Sequence, residues 1–361
     1  MKIAMMVRGY ISAPQPADIV YAPINLAINI AEGLAKRGHQ VDFYGPQGTK
    51  LSTNVRTLRL RPLVRNLNDF QEFISKPDLM AHYVLNLWDG VLALDMFKRA
   101  ADGKYDLLYF IHPEVSLLLS QTYPDVPLAY TLHDPINKWY QEVFKMYKTP
   151  HQHFITISDS QRRAAPQLSY SATVYNGLDA EQFPFSESHD DYLLYVGRIV
   201  PEKGIYHAIQ VAKRTNHKLL IIGPVYKDTQ NYFNRYIKPY LDDRIQYLGY
   251  TEHDKLGPYY RKAKAFLTPL QWEEPFGMTM LESMASGTPV IALNRGSAPE
   301  IVVNGKTGFV VNTIDEMVAA VAKIDKIDRK ACREHVIKNF SIDRMVDGYE
   351  KAFLKILDQK Y

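Results

Sequence analysis

Short apolar runs that each stop at a glycine or a polar residue, with helical stretches between them, constrain this chain more than any other feature. Ile3–Val7 reads as a strand. Ile24–Lys36 reads as a helix with Leu26, Ile30 and Leu34 on one side, closed by Arg37-Gly38, and Gln40–Tyr44 as the next strand. A strand, a helix and a second strand in this order make a right-handed crossover, and crossovers build parallel sheets covered by helices. Leu79–Ala101 is then a long amphipathic helix. Leu107–Ile111, Leu128–Leu132 and Phe154–Ile157 are strands, and Thr173–Tyr175 leads into the turn Asn176-Gly177. Leu178–Asp191 breaks the pattern: it carries Pro184, Ser186, Ser188 and several acids, with no apolar period.

The alternation restarts at Tyr192–Val196. His207–Arg214 is helical, Leu219–Ile222 a strand, Gln230–Leu241 helical and Ile245–Leu248 a strand. Thr251 caps a helix running to Ala263, and the strand Ala265–Thr268 follows. Val290–Leu293 is the last clear strand, and Asp315–Ile324 and Ile342–Asp358 are helices. The chain is therefore an α/β protein with two Rossmann-like parallel-sheet domains, at 1–180 and 190–340. Two such domains on a linker imply sheets that face each other across a cleft, with ligands at the carboxyl ends of the strands.

At 361 residues the chain is long for one core and right for two. Its 43 basic and 39 acidic residues give a net charge of only +4, which speaks against nucleic acid as a main partner. The run Arg56–Arg61, with Arg65 nearby, fits either one wet face of a strand or a contact with anionic lipid or a phosphorylated acceptor. The single Cys332 forms no intrachain disulfide. No run is long enough to cross a bilayer, and Met1–Val7 is too short for a signal peptide. A cytoplasmic protein with no integral membrane segment is expected. Tyr is abundant, at 25 residues, without forming an ordered cluster in the sequence.

The polar residues at strand ends are His112, His133-Asp134, Ser158-Asp159, Asn176, Arg198, Glu274 and Asn294-Arg295. Gly197 turns the chain, and Arg198 and Lys203 then stand in the loop opening the next helix. Two cations beside a helix N-terminus suit a diphosphate and the charge that develops when it leaves. A surface pair between Arg198 and Glu202, with a solvated Lys203, is the alternative. Glu274 and Glu282 lie with seven residues between them. Glu274 precedes the helix Met278–Ser286, whose stripe is Met278, Leu281 and Ala285. Glu282 falls beside that stripe, where an unpaired carboxylate is costly. Together they offer acceptors for hydroxyls next to free helix N–H groups. An ordinary helix start with a solvated Glu is the other reading. Glu300, in Gly296–Glu300, either pairs with Arg198 or Lys203 or caps a helix. His133 either bonds a sugar hydroxyl or is a satisfied polar residue. Trp139-Tyr140 either stacks on an acceptor ring or belongs to the core.

There is no G-x-G-x-x-G after the first strand and no P-loop, so neither a nicotinamide enzyme nor a P-loop nucleotidase is expected. There is also no Asp-x-Asp and no His/Cys cluster at metal spacing. A diphosphate would be handled by Arg198, Lys203 and backbone N–H groups, without metal.

Three strings resemble the retaining glycosyltransferases of family four: Val196-Gly-Arg-x4-Lys203-Gly, Glu274-Pro-Phe-Gly-x4-Glu282 running on to Val290, and Gly305-Lys-Thr-Gly-Phe309. The likeness is dense over Tyr192–Val311. It is looser before that, at Gly33–His39 and Val174–Asp179. It implies the GT-B fold, with a C-terminal helix at about 342–361 completing the first, acceptor-side domain and the second domain binding a nucleotide sugar. By the resemblance, Arg198 and Lys203 hold the diphosphate from the turn at Gly197. Glu282 takes the ribose and Glu274 the transferred sugar, and the backbone of Phe276, Gly277, Met278 and Thr279 approaches sugar and phosphate. Tyr250 lies at the base and His133 near the sugar. Acceptor-side candidates are Gly9, Tyr21, Trp139 and Asn176. The implied activity is retaining, metal-independent transfer of a hexose from a UDP- or GDP-linked donor, with UDP-glucose as first choice. The acceptor is a small molecule, glycan or lipid, and no cofactor is needed beyond the donor itself. A GT-B phosphorylase, a nucleotide-sugar epimerase and a non-catalytic sugar-nucleotide binder are the alternatives. One position departs from the family: Tyr21-Ala22-Pro23 stands where Gly-Gly is usual, adding a Cβ and removing an N–H.

Overall fold

The computed structural model describes residues 1–19, 21–74 and 79–358. Close contacts group them into two units. Met1–Asn176 and the chain from Ile342 onward form one, and Gly177–Ser341 form the other.

The first unit runs β1 (Lys2–Met6), α1 (Ala22–Lys36), β2 (Gln40–Tyr44), β3 (Asn54–Arg56), α2 (Leu67–Ile74), α3 (Leu79–Ala101) and β4 (Leu107–Phe110). It continues through α4 (Glu114–Ser120), β5 (Leu128–Thr131), α5 (Lys138–Met146), β6 (Gln152–Thr156), α6 (Asp159–Ala164) and β7 (Tyr170–Thr173). Its seven strands stand in the order β3-β2-β1-β4-β5-β6-β7, every pair parallel. Every residue of β4, β5 and β6 is buried, as strands covered on both faces require. Tyr44, Phe97, Phe110, Tyr130, Phe144 and Phe154 form one aromatic core on this sheet. Asn137 caps α5 and Ser158 caps α6 by accepting backbone N–H bonds, which fixes where those helices begin.

The second unit runs β8 (Tyr192–Val196), α7 (Ile205–Thr215), β9 (Lys218–Ile222), α8 (Gln230–Tyr236), β10 (Ile245–Tyr247), α9 (Gly257–Lys262) and β11 (Ala265–Thr268). After these come α10 (Met278–Ala285), β12 (Val290–Leu293), α11 (Ala298–Ile301), β13 (Gly308–Val311), α12 (Ile314–Val321) and α13 (Arg329–Asn339). Its six strands are ordered β10-β9-β8-β11-β12-β13, again all parallel.

The last helix, α14 (Ile342–Asp358), belongs to the first unit. It buries Met345, Val346, Tyr349, Phe353 and Ile356. A Cβ on Gly33 of α1 would collide with Val346, and one on Gly348 with Val174, so both glycines permit the close approach. Glu350 accepts from Arg37 Nη1 and pairs with His39 Nε2, each at 2.7 Å. The expected helix to residue 361 runs beyond the described residues after Asp358.

Several expectations are corrected. Val290–Leu293 is not the last strand: β13 pairs beside it, and Gly308 is required there because a Cβ would strike the Val290 carbonyl. The helix drawn from Thr251 to Ala263 is a short 3-10 turn, His253–Lys255, followed by α9. Pro258 has no N–H to donate and therefore stands at the start of a helix, not inside one. The helix drawn to Leu241 stops at Tyr236, and Pro239 lies in the separate turn Lys238–Tyr240. The one drawn to Ile324 stops at Val321. The basic run Arg56–Arg61 is not a strand face. Only Arg56 is in β3, where it pairs with Asp42, and Leu58 and Arg59 turn with positive φ of 46° and 57°. Among the described residues no helix is long and apolar enough to cross a membrane.

Candidate active site

The loops that leave the second sheet are stitched together by backbone bonds. Gly197 N–H donates to the Ile222 carbonyl at 2.9 Å, Ile199 N–H to Pro224 at 3.1 Å and Gly223 N–H to Gly249 at 2.9 Å. A Cβ on Gly223 would collide with the Gly197 carbonyl, and one on Gly204 with the Pro269 carbonyl. The turns after β8, β9 and β11 can therefore close on each other only with glycine at these places.

Arg198 leaves this junction exposed. Among the described residues its guanidinium has no carboxylate partner; its carbonyl accepts from the Tyr195 hydroxyl at 3.2 Å and from Val200 N–H at 3.0 Å. Lys203 is half-buried and ion-pairs with Glu274, and its ammonium lies 4.9 Å from the centre of the Trp272 ring. The Trp272 indole N–H donates to the same Glu274 carboxylate at 2.9 Å. So the cation and the carboxylate read separately from the sequence form one unit. The loop bearing Glu274 is anchored from behind. Gly296 N–H donates to Glu273 at 2.6 Å, Ser297 N–H to the Glu274 carbonyl at 3.0 Å, and the Ser297 hydroxyl to the Phe276 carbonyl. Here too Gly296 has no room for a Cβ against the Glu274 backbone. Glu300 lies in the first turn of α11.

Gly277, at φ 94°, turns the chain into α10, which begins at Met278 without a side-chain cap or an acid in its first turn. The first N–H groups of that helix, at Met278 and Thr279, are thus left for a ligand or water. Phe276 is buried and its ring meets Phe340 at 6.1 Å, so any role it has lies in its backbone. Glu282 is 5% exposed. Its Oε2 accepts from the buried Tyr260 hydroxyl at 2.8 Å, and its Oε1 pairs with His253 Nε2 at 3.0 Å. That bond holds the imidazole of half-exposed His253 above its ordinary pKa. Tyr250 follows β10. Tyr226, in the loop after β9, is raised in pKa by burial, which the Arg198 guanidinium partly offsets.

The strand ends of the first unit carry a different cluster. Arg8, just after β1, is bonded through Nη1 to Asp89 at 2.9 Å and to Glu114 at 3.3 Å. Burial opposes its charge, but Tyr10, Glu114 and Asp89 outweigh this and lift its pKa well above the usual value. Asp89 also accepts from Gly9 N–H at 2.6 Å, and burial pushes its carboxyl up to about 6. The Tyr140 hydroxyl donates to Glu114 at 2.9 Å. The Tyr21 hydroxyl bonds to His112 Nε2, with the two rings stacked 6.0 Å apart. Burial drives His112 well below its usual pKa and His133 down to about 4; the buried His133 Nε2 has no partner among the described residues. Asn176 is buried, and its Oδ1 has no partner among the described residues. Trp139 is 69% exposed on α5, which removes it from the core, with Lys138 4.8 Å from its ring centre.

The structure therefore brings Lys203, Glu274 and Gly277 together, with Arg198 on the same loop as Lys203. Gly9, Tyr21 and His133 lie in the first unit around Arg8. The sequence reading missed Arg8, Asp89, Glu114, Tyr226 and Tyr260. The rule that singled out Arg198, a polar residue just past a buried strand, picks out Arg8 equally. Among the described residues no three His, Cys, Asp or Glu side chains gather to hold a metal ion.

Residues 179–339 match the family described as glycosyl transferases group 1, and residues 25–182 match Glycosyltransferase Family 4. The glycogen synthase of Mycobacterium tuberculosis is 27% identical over 322 residues, which is 78% of this chain and 76% of that one. In fold, sucrose-phosphate synthase from Thermosynechococcus elongatus matches with a TM-score of 0.76 at 18% identity over 100% of both chains. HepE of Anabaena, solved in complex with UDP-glucose, matches with a TM-score of 0.67 at 17% identity, over 96% of this chain and 98% of that one. The chain belongs to the family-four glycosyltransferases, and its two parallel-sheet units have the GT-B architecture.

Proposed function

We propose that this glycosyltransferase moves a hexose from a nucleotide sugar to an acceptor hydroxyl with retention and without a metal, and that UDP-glucose is the donor. The observation that carries the reading is the second unit's strand-end group. It comprises an exposed Arg198 with no carboxylate partner among the described residues, the Lys203–Glu274 pair and the start of α10, which has no side-chain cap. Two cations and free N–H groups suit a diphosphate. The UDP-glucose complex of HepE supports the choice of donor.

In the reaction the bond from the anomeric carbon to the phosphate oxygen breaks, and its electron pair goes to that oxygen. The acceptor oxygen bonds to the same face of the carbon, and its proton passes to the leaving phosphate. Arg198 and Lys203 stabilise the negative charge that grows on the diphosphate. Glu274, kept in place by Lys203 and Trp272, accepts from a hydroxyl of the transferred sugar. Glu282, oriented by Tyr260 and His253, accepts from the ribose through its remaining lone pairs. Tyr250 lies at the base, and the first unit is the acceptor side. The reading includes a cytoplasmic location and no cofactor besides the donor.

Incubation with UDP- and GDP-sugars and an acceptor panel, with and without EDTA, tests it through nucleotide release. Turnover with UDP-glucose that survives EDTA is expected. No turnover with any donor, together with no binding of UDP or GDP, overturns it. A non-catalytic reading has one observation behind it: α1 begins at Ala22-Pro23, where a donor N–H is missing, and Tyr21 makes no side-chain cap. Donor binding by calorimetry without hydrolysis or transfer would favour that alternative.

A further inference from the structure

The tyrosines form no ordered cluster in the sequence, but the fold assembles one. A cavity of about 460 Å³ opens in the second unit between the start of α7 and α8 with the turn that follows it. Its walls include Tyr206, His207, Tyr232, Arg235, Tyr236 and Tyr240. The Tyr206 and Tyr240 rings meet edge to face at 5.6 Å, and those of Tyr232 and Tyr236 lie 5.4 Å apart, tilted by 33°. Arg235 stands 5.3 Å from the centre of the Tyr236 ring, and Lys213 is 5.1 Å from that of Tyr240. Arg198, Lys203, Glu274 and Glu282 are not among the lining residues. The donor-site reading therefore leaves this cavity without a role.

Four aromatic rings gathered on a helix surface would ordinarily be packed away. Burying apolar area stabilises by roughly 25 cal/mol per Å². Here Tyr236 stays 42% exposed, and Tyr206, Tyr232 and Tyr240 are only half-buried. A phenol ring has an apolar face and a polar edge. A hexopyranose ring is built the same way, with C–H faces and hydroxyl edges. The phenol hydroxyls, the His207 imidazole and the Arg235 guanidinium supply hydrogen bonds at the rim. The cavity volume falls within the usual range for small-ligand sites. Both nearby cations lie over ring faces, which suits a neutral polyhydroxylated ligand better than a polyanion.

We propose that this cavity is a second carbohydrate site, separate from the donor site, which holds hexose units of a glycan chain. The proposal goes beyond the donor-site reading and needs only the family assignment. Its site adjoins the loop that carries Lys203, because Pro201 and Gly204 also border the cavity. A glycan engaged there is tethered to the enzyme whether or not donor is bound.

The full chain, without donor, is titrated with linear hexaoses of α-1,4-glucose, β-1,4-glucose and mannose, read by calorimetry and saturation-transfer NMR. At least one hexaose binds, and its affinity falls about tenfold or more in Tyr236→Ala and in Arg235→Ala. Tyr236→Phe keeps the ring and retains most of it. UDP affinity stays at the wild-type value in all three variants, which also reports that they are folded. The proposal is overturned if no hexaose binds. It is equally overturned if binding is untouched in both alanine variants, or if uridine monophosphate displaces the bound glycan. None of these readouts needs turnover, so a failure here is distinct from a failure of the donor reading.

Discussion

Each unit places an arginine just beyond its first strand, Arg8 after β1 and Arg198 after β8, and the two have opposite circumstances. The side chain of Arg8 is 13% exposed and is held between Asp89 and Glu114. Arg198 is exposed with no carboxylate partner among the described residues. A guanidinium held between two carboxylates offers no net positive charge to an incoming diphosphate, whereas an uncommitted one presents its full charge. The same topology therefore yields a paired arginine in one unit and, on the proposed function, an anion receptor in the other. Lys203 lies between these extremes: it is paired with Glu274, yet both remain partly exposed.

The largest effect expected from this contrast is on stability in the first unit. Asp89→Ala leaves Arg8 short of a partner and frees Gly9, at a cost of about 3–5 kcal/mol. Arg198→Ala changes stability by no more than about 0.5 kcal/mol. Denaturant unfolding of both variants checks the pair, and equal losses would break the comparison. Next comes activity. Arg198→Ala and Lys203→Ala each lower the transfer rate by about 10²–10³. Near-normal kcat in either variant removes that residue from the site.

A smaller effect is expected behind Glu282. Tyr260→Phe withdraws a hydrogen bond from a buried carboxylate and costs about 1.5–3 kcal/mol in unfolding. If the ribose assignment holds, it also weakens UDP binding; unchanged UDP affinity would detach Glu282 from the donor. The smallest effect is on pH dependence. The folded pKa of His253 is raised by Glu282, so its contribution is fully present below the ordinary value near 6.5 and fades as pH rises through the folded value. His133 works in the opposite sense. Burial lowers it to about 4, so its contribution is lost as pH falls from about 6.5 through 4. His133→Gln should flatten the acid-side loss of thermal stability, and His253→Gln should steepen it. Identical pH profiles for the two variants would contradict both assignments.

Much of this was legible in the sequence because fully buried parallel strands are unmistakable apolar runs. β1, β4, β8, β9, β11 and β12 all read that way. Two edge strands did not: Asn54–Arg56 is only partly buried, and Gly308–Val311 starts on a glycine that looks like a turn. Helix lengths failed where a proline falls inside an otherwise helical stretch, at Pro239 and Pro258. In the candidate site, Arg198, Lys203, Glu274 and Glu282 were visible from their places after buried strands or beside an apolar stripe. Their partners were not. Lys203 meets Glu274 across 71 residues and Arg8 meets Asp89 across 81, and no local pattern announces either pair. The tyrosine cavity was hidden for the same reason, since Tyr206 and Tyr240 become neighbours only when α7 and the turn after α8 come together.

The central claim is that the uncommitted cation of the second unit reads a diphosphate. Calorimetric titration of the wild-type chain and Arg198→Ala with UDP, and with uridine as the phosphate-free control, tests it most directly. The account predicts that UDP binds the wild type and that Arg198→Ala weakens it by about tenfold or more, while uridine affinity is the same for both. Equal UDP affinity in the two proteins, or no UDP binding by either, would contradict it.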